Sequence, residues 1–240
     1  MSGDEQDDQE GRSNFSKMAK EQMQLEALGE NEQELIVGTD EWPFPIPLIK
    51  EDAGWRFDTA AGAEELINRR IGRNELEAIA MLQALADAQT EYAGEDRDGD
   101  QVLEYAQRII SSPGQQDGLY WPDESEDNPS PIGPYLEGAS DYLEGKQVGD
   151  PWHGYYFRVL TQQGENPPGG AYNYVINGNM IAGFALLAFP AQYGDSGIMT
   201  FIISHQGLLL QKDFGADTAE LIKSINEYNP DDSWQSVTDS

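Results

Sequence analysis

One stretch constrains the architecture more than any other. From Glu75 to Ala93 (ELEAIAMLQALADAQTEYA), Met81, Leu85, Ala88 and Tyr92 recur at spacings of four, three and four. Ile79, Leu82 and Ala86 widen that stripe, so the segment reads as an amphipathic helix with one long face to bury. Asn74 with Glu77 forms a capping-box-like start, and Gly94 a natural stop. Upstream, Asp58 and Thr59 are candidate caps for a helix running to about residue 70, which Gly72 then interrupts.

A helix with such a face needs a partner, and the last third of the chain supplies strands. YYFRVL (155–160), YNYVI (172–176) and FALLAF (184–189) read as strands; IMTFIIS and GLLLQKD flank the turn Ser204-His205-Gln206-Gly207 as a hairpin. TAELIKSINEY (218–228) reads as a closing amphipathic helix. Ahead of the long helix, Trp42, Phe44, Ile46 and Leu48 alternate with Pro43, Pro45 and Pro47, the pattern of an edge strand, and Trp55-Arg56-Phe57 pairs with it across Glu51–Gly54. The expected fold is therefore α+β, a long helix packed on an antiparallel sheet.

The intervening segments complete the organisation. Residues 1–13 are acidic and expected to be disordered. Residues 14–58 form an N-terminal lobe, a short helix over 14–28 followed by the β-hairpin strands. Residues 59–240 form the main domain. Within it EDRDGDQ is a turn, VLEYAQRII (102–110) a short helix, and 112–151 a long surface excursion with a helical turn near Tyr135–Leu143.

Charge and composition limit function. The chain has 44 Asp+Glu against 14 Lys+Arg, a net charge of −30, with only six lysines. Such a chain repels phosphate backbones and anionic lipid, so nucleic acid and membrane surfaces are excluded as partners. The acid is spread along the chain, as suits a protein working in high salt, where a Debye length of about 3 Å near 1 M screens self-repulsion. A very soluble acidic protein is the plainer alternative. No cysteine is present, which removes disulfides, thiolate metal sites and cysteine nucleophiles. The longest apolar run, Met180–Ala191, is interrupted by Gly183 and Pro190 and falls short of the roughly 18 residues of a spanning helix. The N-terminus has neither the basic nor the apolar region of a secretory signal, so the chain as written is expected to be soluble.

Few residues suggest chemistry. Asp96, Asp98 and Asp100 alternate as do positions one, three and five of an EF-hand loop, with Glu104 at the ninth, a set of hard oxygens suited to Ca²⁺. Gln101 stands where that loop has glycine, and Gln107 replaces the twelfth-position carboxylate. The alternative is an ion-free solvated turn in which Asp100 caps a helix. His153 and His205 are the only histidines; meeting in space beside a carboxylate, they would make a metal site or a general base. Local backbone bonding is the simpler role for each. Ser196 in GDSG lacks a nucleophile elbow and reads as a turn serine. Tyr120, Trp121, Trp152, Tyr155 and Tyr156 form either a binding platform or anchors for the long loop. No catalytic or cofactor-binding residue is assigned.

DEWPFPIPLIKEDAGWRFD, RNELEAIAMLQALADAQTEYA, DGLYWP, HGYYFRVLT, PGGAYNYVINGNMIAGFALLAFPAQYGDSGIMTFIISHQG and QKDFG together resemble the bacterial family of unknown function numbered 2950, from about Phe15 to Trp234. The resemblance brings no activity, substrate or catalytic residue. It implies an exported protein with a signal and further N-terminal structure, where this chain has a short acidic tail. The helix ending in AQTEYA, with GYYFRVL and FIISHQGLLL, is similar to type IV pilin-like domains, without their apolar anchoring half-helix; residues 34–58 look like the final strands of a nuclear-transport-factor-2-like or cystatin-like lobe. These readings lead to a non-catalytic binding or structural protein with a protein or envelope partner. The rivals are a hydrolase or metal-dependent enzyme using His153 or His205, and a calcium-stabilised module.

Overall fold

The computed structural model describes residues 5–121, 129–137 and 150–237. It divides into two compact units, Met1–Arg70 and Ile71–Ser240.

In the first unit α1 (Glu5–Glu21) precedes an antiparallel sheet of β1 (Met23–Gly29), β2 (Glu32–Val37), β3 (Trp42–Pro43), β4 (Leu48–Glu51) and β5 (Gly54–Phe57), ordered β1-β2-β4-β5 with β3 beside β2. Two expectations change here. Residues 5–13, read as a disordered tail, lie in α1, while 1–4 fall outside the described residues. The helix over 14–28 stops at Glu21, because beyond it the apolar period changes from helical to two. Met23, Leu25 and Ala27 sit opposite Val37, Leu35 and Gln33, so this stretch is a strand.

The proline-alternating segment is broken rather than continuous. β3 ends at Pro43, and pairing resumes only at Leu48, after the last proline, since a proline has no N–H to give a ladder. Phe44 N–H still reaches Leu35 O at 2.7 Å, and Pro47 O accepts from Asp58 N–H at 2.8 Å. The expected β4–β5 hairpin forms, pairing Leu48 with Phe57 and Lys50 with Trp55. Phe44 gathers Phe15 at 5.1 Å, Phe57 at 5.7 Å and Trp42 at 6.1 Å. Ile46 packs so closely on Gly62 that a Cβ there would stand 2.7 Å from Ile46 Cγ1. Asp58 Oδ1 accepts from Ala60 and Ala61 N–H, the cap the sequence indicated.

That cap opens α2 (Thr59–Tyr92), one helix of 34 residues. Gly72 does not interrupt it. A helix-interior glycine costs only about 1 kcal/mol relative to alanine, which the flanking turns outweigh. Asn74 and Glu77 therefore cap nothing.

The second unit holds the rest of α2, α3 (Gly133–Glu137), β6 (Tyr155–Leu160), β7 (Gln162–Gln163), β8 (Tyr172–Asn173), β9 (Val175–Ile176), β10 (Asn179–Met180), β11 (Ala185–Pro190), β12 (Met199–Ser204), β13 (Leu209–Asp213), α4 (Thr218–Leu221) and β14 (Gln235–Ser236). Its five-stranded antiparallel sheet runs β14-β13-β12-β11-β6, with β7–β8 and β9–β10 as separate two-stranded ladders. The fold is α+β. Ala78, Met81, Leu82, Leu85, Ala88 and Tyr92 of α2 belong to the same buried cluster as Leu160, Leu186, Leu187, Phe201 and Ile202 of the sheet. The hairpin turn after Ser204 stands as expected.

Four expectations in this unit fail for identifiable reasons. Residues 102–110 are extended, not helical. Tyr105 bridges Met180, and the fully buried Gln89 side chain takes both backbone groups of Ala106, donating to its O and accepting from its N–H at 2.8 Å each. The helix over 218–228 shrinks to α4 between two 3-10 turns. Arg158 Nη1 binds Ile222 O at 3.2 Å and Ile225 O at 3.0 Å, and Tyr228 N–H pairs with Gln162 O, which draws the chain out of helix. The 112–151 segment is not wholly a surface excursion: Leu119, Trp121, Ser130 and Ile132 are buried, and Ile110 bridges Tyr120. The helical turn lies at Gly133–Glu137, and 138–149, like 122–128, falls outside the described residues. Finally, 172–176 is split, because the buried Tyr174 turns its N–H to Thr161 O.

Candidate functional site

Where α2 ends, the chain turns back on itself through the aspartate loop. Asp96 accepts from Gly99 N–H at 2.8 Å and Gln101 N–H at 2.9 Å; Asp98 accepts from Asp100 N–H, and Asp100 from Val102 N–H. Gln101 occupies the left-handed region at φ 70°, the conformation a glycine would take at lower cost. Desolvation pulls the Asp96 pKa up, but the N–H groups of Gln101 and Gly99 outweigh it and hold the carboxyl below its ordinary value. One carboxylate oxygen each from Asp96, Asp98 and Asp100 lies within 4.8 Å of the others, all exposed. Glu104 stands outside this group, with Oε2 accepting from Met180 N–H at 2.8 Å. Gln107 Nε2 donates to Gly178 O, so the β9–β10 turn holds the loop's far end.

Beside the loop opens a cleft of about 350 Å³, lined by Tyr92, Arg97, Asp98, Glu104, Tyr105, Gln107, Arg108 and the 115–117 turn. Its polar groups are held in place. The Arg97 side chain is only 7% exposed, its guanidinium 5.1 Å from the Tyr92 ring and 5.2 Å from the Trp121 ring. It also meets Glu95 at 3.5 Å and Tyr92 O at 3.4 Å. Asp117 accepts from Ser112 N–H at 2.6 Å and Ser112 Oγ at 2.9 Å, and Arg108 reaches both partners. Burial raises the Asp117 pKa, but Ser112 and Arg108 together bring it below the usual carboxylate range. Tyr92 donates its hydroxyl to Gln116 O, and burial, aided by the charge of Glu104, pushes its pKa up to about 12.

The histidines are elsewhere. His205 sits among Tyr174 at 5.8 Å, Phe184 at 6.3 Å and Gly183, with Nδ1 buried and unbonded. His153, at φ 42°, lies edge-on to Trp152. Neither lines the cleft, and neither joins a group of three metal-type ligands among the described residues. Ser196 packs against Gly154, but its hydroxyl bonds to Gln192 N–H at 2.9 Å and Gln192 O at 3.2 Å. Trp121, Trp152 and Tyr155 are buried anchors, Tyr155 donating to Met199 O, whereas Tyr156 is exposed beside Phe189.

Sequence reasoning missed Gln89, Arg97 and Glu75. Glu75 Oε1 accepts from both Ile198 and Met199 N–H at 2.9 Å, while Asn74 holds Ser196 O at 2.8 Å. Asn74 belongs to the capping-like pattern and Glu75 stands beside it, but both reach across to the chain at 196–199 instead of capping a helix. For Arg97, the signal was an arginine set inside an otherwise acidic turn.

Among the described residues no helix is long and apolar enough to cross a membrane. Among curated proteins and among solved structures nothing matches the chain significantly. The family model described as protein of unknown function (DUF2950) matches residues 1–237, and the chain belongs to that family.

Proposed function

We propose that this is a non-catalytic binding protein of the bacterial envelope, with a surface adapted to salt and the cleft beside the aspartate loop as its ligand seat. One observation carries the reading. The cleft's charged groups are immobilised by stacking and hydrogen bonds, and neither histidine is among them. Groups fixed by some of their bonds, with others left over, suit recognition, whereas general acid–base work needs a group free to exchange a proton with substrate. The α2 face over the five-stranded sheet is read as a pilin-like arrangement, supported by their shared buried cluster. The test is a thermal-shift screen of small polar ligands in molar NaCl, run with a broad hydrolase screen. Stabilisation that Gln107→Ala weakens, without turnover, supports the reading. Turnover abolished by His153→Ala or His205→Ala, with no cleft-dependent binding, overturns it in favour of the enzyme.

A second reading is favoured by the convergence of Asp96, Asp98 and Asp100 within 4.8 Å. We propose that this loop takes Ca²⁺ and that the ion stabilises the fold, with Glu104 contributing only if it leaves Met180. Calorimetric titration with Ca²⁺ decides the matter: heat in the wild type that Asp98→Ala loses supports the site, and equal heats in both remove it.

A further inference from the structure

The cleft's chemistry selects among ligand classes, on the premise that it is a binding seat. Its lining carries two guanidiniums, Arg97 and Arg108, against three carboxylates, Asp98, Glu104 and Asp117. Each charge is already compensated inside the protein. Arg97 faces Glu95 and two aromatic rings, and Arg108 faces Asp117. Asp98 accepts from Asp100 N–H, Glu104 from Met180 N–H, and Asp117 from Ser112. An anionic ligand would meet a net negative lining on a chain of charge −30, with no guanidinium left unopposed. Asp98 is shared with the Ca²⁺ loop proposed above. For an organic cation the cleft leaves Glu104, which already accepts from Met180 N–H, and Asp117, which already accepts from Ser112 and pairs with Arg108.

What remains on offer is directional and uncharged. A guanidinium has five N–H donors and a carboxylate about four lone-pair sites, and the bonds named above use only part of that capacity. Gln115 adds a planar amide, Gln107 the amide oxygen and the N–H that its bond to Gly178 O leaves over, and Tyr105, held at 4.9 Å against Phe184, adds ring carbon. Fixed planar donors and acceptors around ring surface suit a ligand that presents neighbouring hydroxyls on a compact ring. The volume of about 350 Å³ lies within the range of small-ligand pockets. We infer that the cleft binds a neutral saccharide of one or two rings.

The test is calorimetry on the full chain in molar NaCl, using cellobiose, maltose and N,N′-diacetylchitobiose as neutral probes, with choline and digalacturonate as cationic and anionic controls. The expected result is that a neutral disaccharide binds and that Gln107→Ala and Gln115→Ala each weaken it about tenfold, the effect of about 1.4 kcal/mol. Both residues are exposed, and a cooperative melt with unchanged far-ultraviolet circular dichroism establishes that each variant is folded. Gln107→Ala also gives up the bond to Gly178 O, so Gln115→Ala carries the decision where the two disagree. If choline or digalacturonate binds in a Gln107- and Gln115-dependent way while the neutral sugars do not, the saccharide inference falls and the binding reading stands. Sugar binding indifferent to both substitutions overturns the assignment to this cleft. If no probe binds, the saccharide inference falls, and the ligand screen described above decides the binding reading separately.

Discussion

Gln89 offers the sharpest test of how this fold is held. It is a fully buried side chain on the inner face of α2, and its amide binds Ala106 as a strand neighbour would, at 2.8 Å on both sides. Replacing it by methionine keeps the volume and removes both partners. Ala106 is itself buried, so its N–H and C=O would be left without water. Each unsatisfied group costs about 1–3 kcal/mol, so Gln89→Met is expected to lose about 2–6 kcal/mol, a large share of the ~5–15 kcal/mol that holds a typical domain. Gln89→Glu separates the two bonds. A carboxylate still accepts from Ala106 N–H but faces Ala106 O with a like partial charge, so its own pKa is raised in the fold. The stability it contributes is present at low pH and is lost as pH rises through that raised value. The gap between Gln89→Glu and wild type should therefore narrow from pH 7 to pH 5. Equilibrium urea unfolding at fixed molar NaCl, followed by tryptophan fluorescence, measures all three proteins. A Gln89→Met loss under about 0.5 kcal/mol with an unchanged slope would refute the reasoning.

Glu75→Ala leaves two N–H groups, of Ile198 and Met199, without their acceptor, but both residues are only half-buried and water can replace part of the loss, so it should cost about 1–3 kcal/mol rather than twice that. Glu75→Gln should recover most of it, since an amide oxygen can accept both, and the same urea titration checks this. Tyr92 has its pKa raised to about 12, so the stability linked to its neutral form is whole below pH 10 and is lost as pH climbs from 10 towards 12. Burial also raises Tyr155, Tyr174 and Tyr228, so Tyr92 is read by difference. Tyr92→Phe should remove one late-titrating phenol from the phenolate absorbance of the folded protein and leave the early-titrating ones unchanged; loss of an early-titrating phenol instead would refute the raised value. The melting midpoint should rise with NaCl because the charge of −30 is screened; a flat or falling midpoint removes the salt-adapted reading.

What was legible in the sequence followed local pattern. The stripe of Met81, Leu85, Ala88 and Tyr92 is buried, the Asp58 cap forms, and the strands of the last third, apart from the split 172–176, stand near their expected bounds. What failed was decided by partners far along the chain. VLEYAQRII has helical composition, but Gln89 and Met180 compete for its backbone and win. TAELIKSINEY is amphipathic, but Arg158 claims its carbonyls from β6, over sixty positions earlier. The candidate site behaved in the same way. The spacing of Asp96, Asp98 and Asp100 was readable, whereas the cleft needed the 115–117 turn folded against Tyr92 and Arg97.

The charge imbalance and the aromatic content meet in one device. With only 14 Lys+Arg, cations are scarce, and several are placed on ring faces: Arg69 over Trp42, Arg97 over Tyr92 and Trp121, Arg158 over Phe189, and Lys212 over Phe214 at 4.8 Å. From those positions three of them reach the backbone: Arg69 holds Pro43 O, Arg97 Tyr92 O, and Arg158 Ile222 O and Ile225 O. A cation–π contact depends on desolvation and ring geometry more than on long-range charge, so added salt screens it less than an exposed ion pair. These cations thus order turns and loops, while much of the acid is left facing solvent. The proposed adaptation to salt would then work by screening acid–acid repulsion without dissolving the cation contacts that organise the chain. Arg158→Lys tests the division of labour. It keeps the charge but replaces the rigid guanidinium, which lies on the Phe189 ring and carries Nη1 to both carbonyls, with a flexible ammonium, so it should destabilise the protein by a similar amount in low and high salt. A loss that added NaCl cancels would mean that Arg158 acts as a counter-charge, and the argument would fail.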